Sequence, residues 1–369
     1  MPLWNPTPFI KNLVGFLLQI ICILFLYASY TYGMAKNGFF KKFKNIPDRR
    51  LYVILTTAAV FGCFLLSVLL HPAVLPPPPG DIRILPETAS EDRIITVYDH
   101  KLCKTVEQPL EDYVFHALAG EMFASYEPEA LKAQACAIRT YVVYKMEHGG
   151  CGKYAGADVC TDFASCLAYS RDDEMRMKWG DKTEEYSAKM RKAASDTLGE
   201  IITYEGEPIN ALFHSNAGGE TEDVQNVFGG NLAYLKGVIS CETADSYKYE
   251  TEVTFAKEEF FNKLCAQYPD VQSGEICILS RYESGRVETM QAGNLTLSGV
   301  KVRAALGLNS AHFDVSVTGD TVVFNVIGYG HGVGLSQAGA QEMATEGFDY
   351  KAILMHYYTG VVLERFSDF

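Results

Sequence analysis

Glu121 is the residue in this sequence best placed to move a proton. It lies in Ala117-Leu118-Ala119-Gly120-Glu121-Met122-Phe123, a carboxylate among apolar neighbours. Keeping such a group charged costs desolvation energy, so its pKa should rise. A carboxyl that holds its proton near neutral pH is prepared to act as a general acid. The plainer reading is a helix-terminal Glu facing water. No acidic partner stands at a fixed spacing from it. Glu220, Glu222, Asp223 and Asp158 are available as second carboxylates, and each reads equally well as a solvated surface acid. The sequence contains no Ser-His-Asp ordering, P-loop or HExxH helix.

Two histidines stand beside glycines at the ends of apolar runs. Phe213-His214-Ser215-Asn216-Ala217-Gly218-Gly219 closes one, and Gly328-Tyr329-Gly330-His331-Gly332-Val333-Gly334-Leu335-Ser336-Gln337 follows another. Glycine lets backbone approach a ligand closely or take positive φ. A glycine-rich loop ahead of a helix can bind phosphate, but no βαβ unit or trailing acid supports a nucleotide site. The preferred reading is a loop that lets His331, Ser336 and Gln337 point into a shared pocket. For the first run the plain alternative is a polar hairpin turn. Aromatics follow it at Phe228 and Tyr234, able to stack on sugar rings or simply to pack.

Ten cysteines are present. Cys22 and Cys63 lie in long apolar stretches and read as small apolar residues. Cys151, Cys160 and Cys166 cluster, with His148 just ahead of them. Three thiols and an imidazole this close could supply a tetrahedral Zn²⁺ site, although the spacing is not that of a zinc finger. A disulfide and a set of free thiols are the competing readings. Cys103, Cys136, Cys241, Cys265 and Cys277 show no interpretable spacing.

The elements that position these residues follow from periodicity. Leu110, Tyr113, Val114 and Ala117 predict a helix over 110–119. Leu131, Ala135, Ile138, Val142 and Met146 predict a second, opened by Pro128 and closed by Gly149-Gly150. Helical patterns also cover 182–197, 256–267, 298–306, 335–347 and 350–357. Strand patterns cover 93–99, 101–106, 200–204, 208–214, 248–255, 276–281, 286–290 and 322–327. Strands and interspersed helices without βαβ spacing predict an α+β domain. No internal repeat is visible.

The N-terminal region has a different character. Residues 12–33 and 51–70 are each long and apolar enough to span a bilayer. The link between them carries Lys36, Lys41, Lys42, Lys44, Arg49 and Arg50, which places it in the cytoplasm and the C-terminal region outside. Met34 is an alternative start that would leave a single anchor. The expected organisation is an extra transmembrane segment and basic link in 1–50, an anchor at 51–70, a proline-rich linker at 71–90 and an extracytoplasmic domain over 91–369. The net charge of −13 argues against nucleic acid as a partner.

Together these motifs resemble the stage II sporulation protein D family. The resemblance is carried by Ala119-Gly120-Glu121-Met122 with Pro128-Glu129-Ala130-Leu131-Lys132-Ala133-Gln134 and Arg139-Thr140-Tyr141. Phe213-His214-Ser215 with Gly218-Gly219, Gly330 to Ala340, and His356-Tyr357-Tyr358-Thr359-Gly360 complete it, in order from about Ile94 to Leu363. It implies a membrane-anchored lytic transglycosylase that cuts peptidoglycan glycan strands between N-acetylmuramic acid and N-acetylglucosamine during forespore engulfment, with Glu121 as the single general acid and base. By the same resemblance, His214, Ser215, Gly218, Gly219, His331, Ser336 and Gln337 bind substrate, and the strands are denuded of stem peptides. The partners it implies are stage II sporulation proteins P, an amidase, and M. The location is the mother-cell membrane facing the forespore. Some members bind zinc through a His and two Cys. Cys160 and Cys166 match the thiols, Tyr154 replaces the His, and Cys151 or His148 is left to substitute. The alternative function is a non-catalytic glycan-binding module that activates a partner amidase.

Overall fold

The computed structural model describes residues 93–366. The candidate spans at 12–33 and 51–70 and the proline spacer lie outside the described residues. Among the described residues no helix is long and apolar enough to cross a membrane.

Strand β1 (Ile94–Asp99) forms an antiparallel hairpin with β2 (Lys104–Pro109), Val97 opposite Val106. Helix α1 (Leu110–Glu121) follows at once and runs two residues beyond the periodic signal, so Glu121 is its last residue and lies ahead of the break. Helix α2 (Pro128–Glu147) opens on Pro128, and Gly149 and Gly150 follow it with φ of 88° and 76°. The single apolar face read from the sequence understates how deeply α2 is buried. Ala133, Gln134, Cys136, Ala137, Arg139 and Thr140 are also inside. The reason is that α2 is packed against on several sides. Its neighbours are α1, α4 (Thr183–Asp196), β4 (Glu200–Tyr204), α8 (Gln337–Thr345) and α9 (Tyr350–Tyr357). The alanines let these neighbours come close.

Two polar residues of α2 are structural fasteners. The Arg139 guanidinium, fully buried, donates to both Glu111 carboxylate oxygens at 2.6 and 2.7 Å. It also donates to the carbonyls of Glu200 and Ala194. Thr140 Oγ1 accepts the Ile202 N–H at 2.9 Å and so pins β4 to α2.

Short strand β3 (Val159–Cys160) pairs parallel to β1 and brings the cysteine loop onto the first sheet. Helix α3 (Asp172–Trp179) precedes α4 and carries no signal in the sequence reading. Two small pieces, β5 (Glu207–Pro208) and β6 (Phe213–His214), replace the continuous strand expected over 208–214. A short helix α5 (Val224–Val227) follows.

Residues 250–327 build a second core of their own. Strand β7 (Glu250–Ala256), helix α6 (Lys257–Cys265), strands β8 (Ile276–Arg281), β9 (Val287–Ala292) and β10 (Leu295–Ser298), helix α7 (Gly299–Leu306), and strands β11 (Phe313–Thr318) and β12 (Thr321–Ile327) enclose Phe255, Phe260, Phe313 and Phe324. Its sheets run in the orders β10-β9-β8 and β11-β12-β7, all antiparallel. The chain returns through β13 (Leu335–Ser336), α8 and α9 and ends in β14 (Val362–Arg365), antiparallel to β4. The architecture is the expected mixed α+β. It contains several small sheets, because helices and turns interrupt strand pairing before any sheet grows.

Candidate active site

Glu121 ends α1 against the loop that follows the cysteines. Its Oε1 accepts the backbone N–H of Ala168 at 2.6 Å. That approach depends on Gly120, since a Cβ there would stand 2.7 Å from the Ala168 carbonyl and 2.8 Å from Tyr169 N. The carboxyl is half-buried and keeps a partial opening to solvent. Desolvation pushes its pKa up to about 7. Three groups act in the other direction: the Ala168 N–H, the Gln337 side chain, which hydrogen-bonds the carboxylate, and the Lys178 ammonium. None is a carboxylate. Lys178 reaches in from α3, and its Nζ donates to the Ala119 carbonyl at 3.1 Å.

The two histidine motifs meet through a parallel pairing of β6 with β13, Leu335 opposite Phe213 and Ser336 opposite His214. Gly330 makes this fit possible, with φ of 120° and no room for a side chain, since a Cβ there would stand 2.7 Å from His214 Cβ. The rings of His214 and His331 lie 5.5 Å apart, and exposed Phe228 meets His331 edge-on at 5.2 Å. Burial lowers the pKa of both, His331 to about 4, so both are neutral at neutral pH. His214 Nδ1 faces the Val333 carbonyl at 3.2 Å, and its buried Nε2 has no partner. His331 Nδ1 accepts the Val333 N–H at 3.1 Å, and the ring also bonds the Phe213 backbone.

The structure thus joins Glu121 with Gln337, and His214 with His331. It places Ser336 inside the protein, fully buried, where Oγ caps α8 by accepting the Gly339 N–H and donates to Glu242. Glu242 also accepts the N–H groups of Ala217 and Gly219 and the Ser240 hydroxyl. Gly218 has φ of 72° and abuts Ile327. Ser215 is half-buried, and its carbonyl accepts the Ala338 N–H at 2.9 Å. Of the acids weighed as second carboxylates, Glu222 is not solvated. It is buried and accepts from Ser284 Oγ, Asp223 N and Asn226 Nδ2. Asp158 accepts the Thr96 N–H, and Asp223 binds Lys236 and the Gly237 N–H.

The three cysteine sulfurs lie within 4.8 Å of one another, with Cys151 and Cys166 Sγ 3.6 Å apart. All three are free thiols. Zn–S bonds of about 2.3 Å in a tetrahedron set sulfurs about 3.8 Å apart, so the trio fits three corners of such a site. His148 is elsewhere, exposed and stacked on Tyr144 at 3.9 Å. Tyr154 stacks on Tyr98 at 3.9 Å, and its hydroxyl lies 3.3 Å from Asp162 Oδ2. The cluster lies close to Glu121 in the chain path, because Ala168, whose N–H bonds the carboxyl, is two residues past Cys166.

Sequence reasoning missed Lys178, Ala168, Glu242 and Arg286. Arg286, from β9's leading turn, is buried and donates to the carbonyls of Glu220 and Ala217 under the Gly332 turn. A buried arginine from a distant strand leaves no local pattern to read.

Known proteins match this chain. The family model "Stage II sporulation protein" matches residues 98–204. Stage II sporulation protein D of Bacillus subtilis (strain 168) is 36% identical over 261 residues, 71% of this chain and 76% of that protein. Its counterpart in Bacillus amyloliquefaciens is 35% identical over 262 residues, 71% of this chain and 76% of that protein. The amidase enhancer of Bacillus subtilis (strain 168) is 24% identical over 304 residues, 68% of this chain and 40% of that protein. On these matches the chain belongs to the stage II sporulation protein D family.

Proposed function

We propose that the protein is a lytic transglycosylase acting on peptidoglycan glycan strands in forespore engulfment, with Glu121 as its one acid and base. The observation that carries this reading is the Glu121 carboxyl at the end of α1, held by the Ala168 N–H at 2.6 Å and the Gln337 side chain, with burial raising its pKa to about 7 and no acid among the described groups that set its charge. Hydrolysis by paired carboxylates would need a partner roughly 5–9.5 Å away. A single group suffices when the nucleophile belongs to the substrate. Glu121 gives its proton to the glycosidic oxygen as the bond from muramyl C1 breaks. Positive charge builds on the ring. The sugar's own C6 hydroxyl closes on C1, and its proton passes to the Glu121 carboxylate, which restores the acid without consuming water. Gln337 orients the carboxyl, and the Ala168 N–H steadies it while charged.

His214, His331 and Ser215 border the same loops as neutral groups suited to hydroxyl and acetamido partners. Gly219 and Ser336 shape that wall through Glu242, and Gly218 through Asn216. Cys151, Cys160 and Cys166 would hold a structural Zn²⁺, which would brace the loop carrying Ala168. Membrane anchoring toward the forespore, denuded strands as substrate, and stage II sporulation proteins P and M as partners belong to the same reading.

The likeness to a protein named amidase enhancer favours one second reading, a glycan-binding module that stimulates a partner amidase. Incubating the full chain and its Glu121→Gln variant with denuded strands separates the two. Anhydro-muramyl products from wild type alone support the transglycosylase. Products heavier by one water would indicate hydrolysis. Binding without cleavage by either protein would favour the amidase partner.

A further inference from the structure

Beside Glu121 runs a strip of rings that the proton chemistry does not use. Tyr126 and Phe123 meet at 5.5 Å, Phe123 meets Tyr247 edge-on at 5.0 Å, and Tyr247 reaches Tyr329 at 6.2 Å. Phe123 is two residues past Glu121, and Tyr329 is two residues before His331. The strip therefore joins the segment just after the acid to the glycine loop. It is open to solvent, with Phe123 41% and Tyr247 45% exposed. Large rings held together in water mark a surface built to be covered.

The fold holds them there deliberately. Asn216, buried, donates from Nδ2 to the Tyr247 carbonyl at 3.1 Å, and its backbone exchanges hydrogen bonds of 2.8 and 2.9 Å with Tyr329. Lys248 adopts φ of 52°, a left-handed conformation that costs energy for a residue with a side chain. Its Nζ lies 4.1 Å from the Tyr329 ring centroid and 5.5 Å from that of Tyr247. Contact with ring faces fixes the position of the ammonium while leaving its hydrogen-bond donors available to an anionic partner.

We infer that this strip is a glycan subsite, in which Phe123, Tyr247 and Tyr329 take the apolar faces of hexose rings and Lys248 pairs with a sugar carboxylate. This rests on the reading of Glu121 as an acid working on glycan strands, and it states how the strand is held. Hexopyranose rings expose C–H faces that aromatic rings cover well. A muramyl unit freed of its stem peptide carries a lactyl carboxylate, the anion a lone ammonium among rings would select.

The test uses the full chain carrying Glu121→Gln, so that binding is read without turnover. Two ligands are compared: denuded glycan strands and chitin oligosaccharides, which lack the carboxylate. Tyr247→Ala should bind both about tenfold more weakly, the loss expected for one ring face, and Tyr247→Phe should restore binding. Lys248→Met should weaken denuded strands only, and added salt should abolish its difference from the parent. Unchanged binding by Tyr247→Ala, or no glycan binding by the parent, overturns the subsite. Equal loss for both ligands in Lys248→Met overturns the carboxylate contact. Ring-dependent binding in a wild-type chain that never cleaves would remove the transglycosylase reading and keep the strip. Cleavage by wild type with Tyr247→Ala indifferent would do the reverse.

Discussion

Replacing Glu121 by Gln should stabilise the protein, by an amount that depends on pH. The carboxyl's ordinary value is 4.5 and burial lifts it to about 7. Below pH 4.5 the group is protonated in both the folded and unfolded chain and contributes nothing. Between 4.5 and 7 the unfolded chain sheds the proton first, so stability falls as pH rises. Above 7 the full penalty applies, at most about 3 kcal/mol. Gln carries no such penalty, and its amide oxygen can still accept the Ala168 N–H. The gain of Glu121→Gln over wild type should thus be near zero at pH 4 and up to about 3 kcal/mol at pH 8. Urea unfolding of both proteins at the two pH values measures it. Other titrating groups are common to both proteins and cancel in the difference. An equal gain at both pH values would show that the carboxyl is not held protonated. A loss of stability at pH 8 would show that Glu121 is a charged anchor for the Ala168 loop, and the acid role would fall with it.

Three further outcomes follow from named contacts. Gly120→Ala forces the Ala168 loop outward, costs about 1–3 kcal/mol and raises the Glu121 pKa by removing a donor; the alkaline limb of the cleavage profile, where the acid loses its proton, should move to higher pH. Cys151→Ser should lower bound zinc, read by native mass spectrometry, and make thermal unfolding insensitive to chelator. Arg139→Met leaves the Glu111 carboxylate without its partner beside α2 and should cost about 3–5 kcal/mol in urea unfolding, with Glu111→Gln in the same chain recovering part of the loss.

Elements with a strong pattern were legible, as with the helix at 350–357, which matches α9, and the strand at 276–281, which matches β8, whereas α3 carried no such pattern. Glu121 stood out because an acid among apolar residues violates local pattern. What could not be read is what packing decides. Strand 208–214 breaks into β5 and β6 because the chain must bend to pair Ser336 with His214. Ser336 looked like a cleft residue from its glycine-rich context, yet the same context sets it as the cap of α8. The glycines flanking His331 create backbone fit, with Gly332 giving way to Arg286 and Gly334 to the Leu212 carbonyl. Arg139 and Thr140, part of the family resemblance, fasten β4 and α1 to α2.

The value near 7 at Glu121 is a balance struck by distant parts of the chain. Burial alone would drive the carboxyl higher. Ala168, Gln337 and Lys178 oppose it, and they come from the cysteine loop, the start of α8 and the end of α3. Each donor is held by something else in turn. Ala168 depends on the bare Gly120 and on a loop two residues from Cys166. Gln337 follows Ser336, whose hydroxyl is locked to Glu242. Lys178 is tied to the Ala119 carbonyl on the helix that carries the acid. Cysteine cluster, glycine loop and α3 thus converge on one proton. The motifs separated by over two hundred residues in the chain are parts of a single acid's environment, and a change in any of them should be felt as a shift in the pH at which Glu121 lets go.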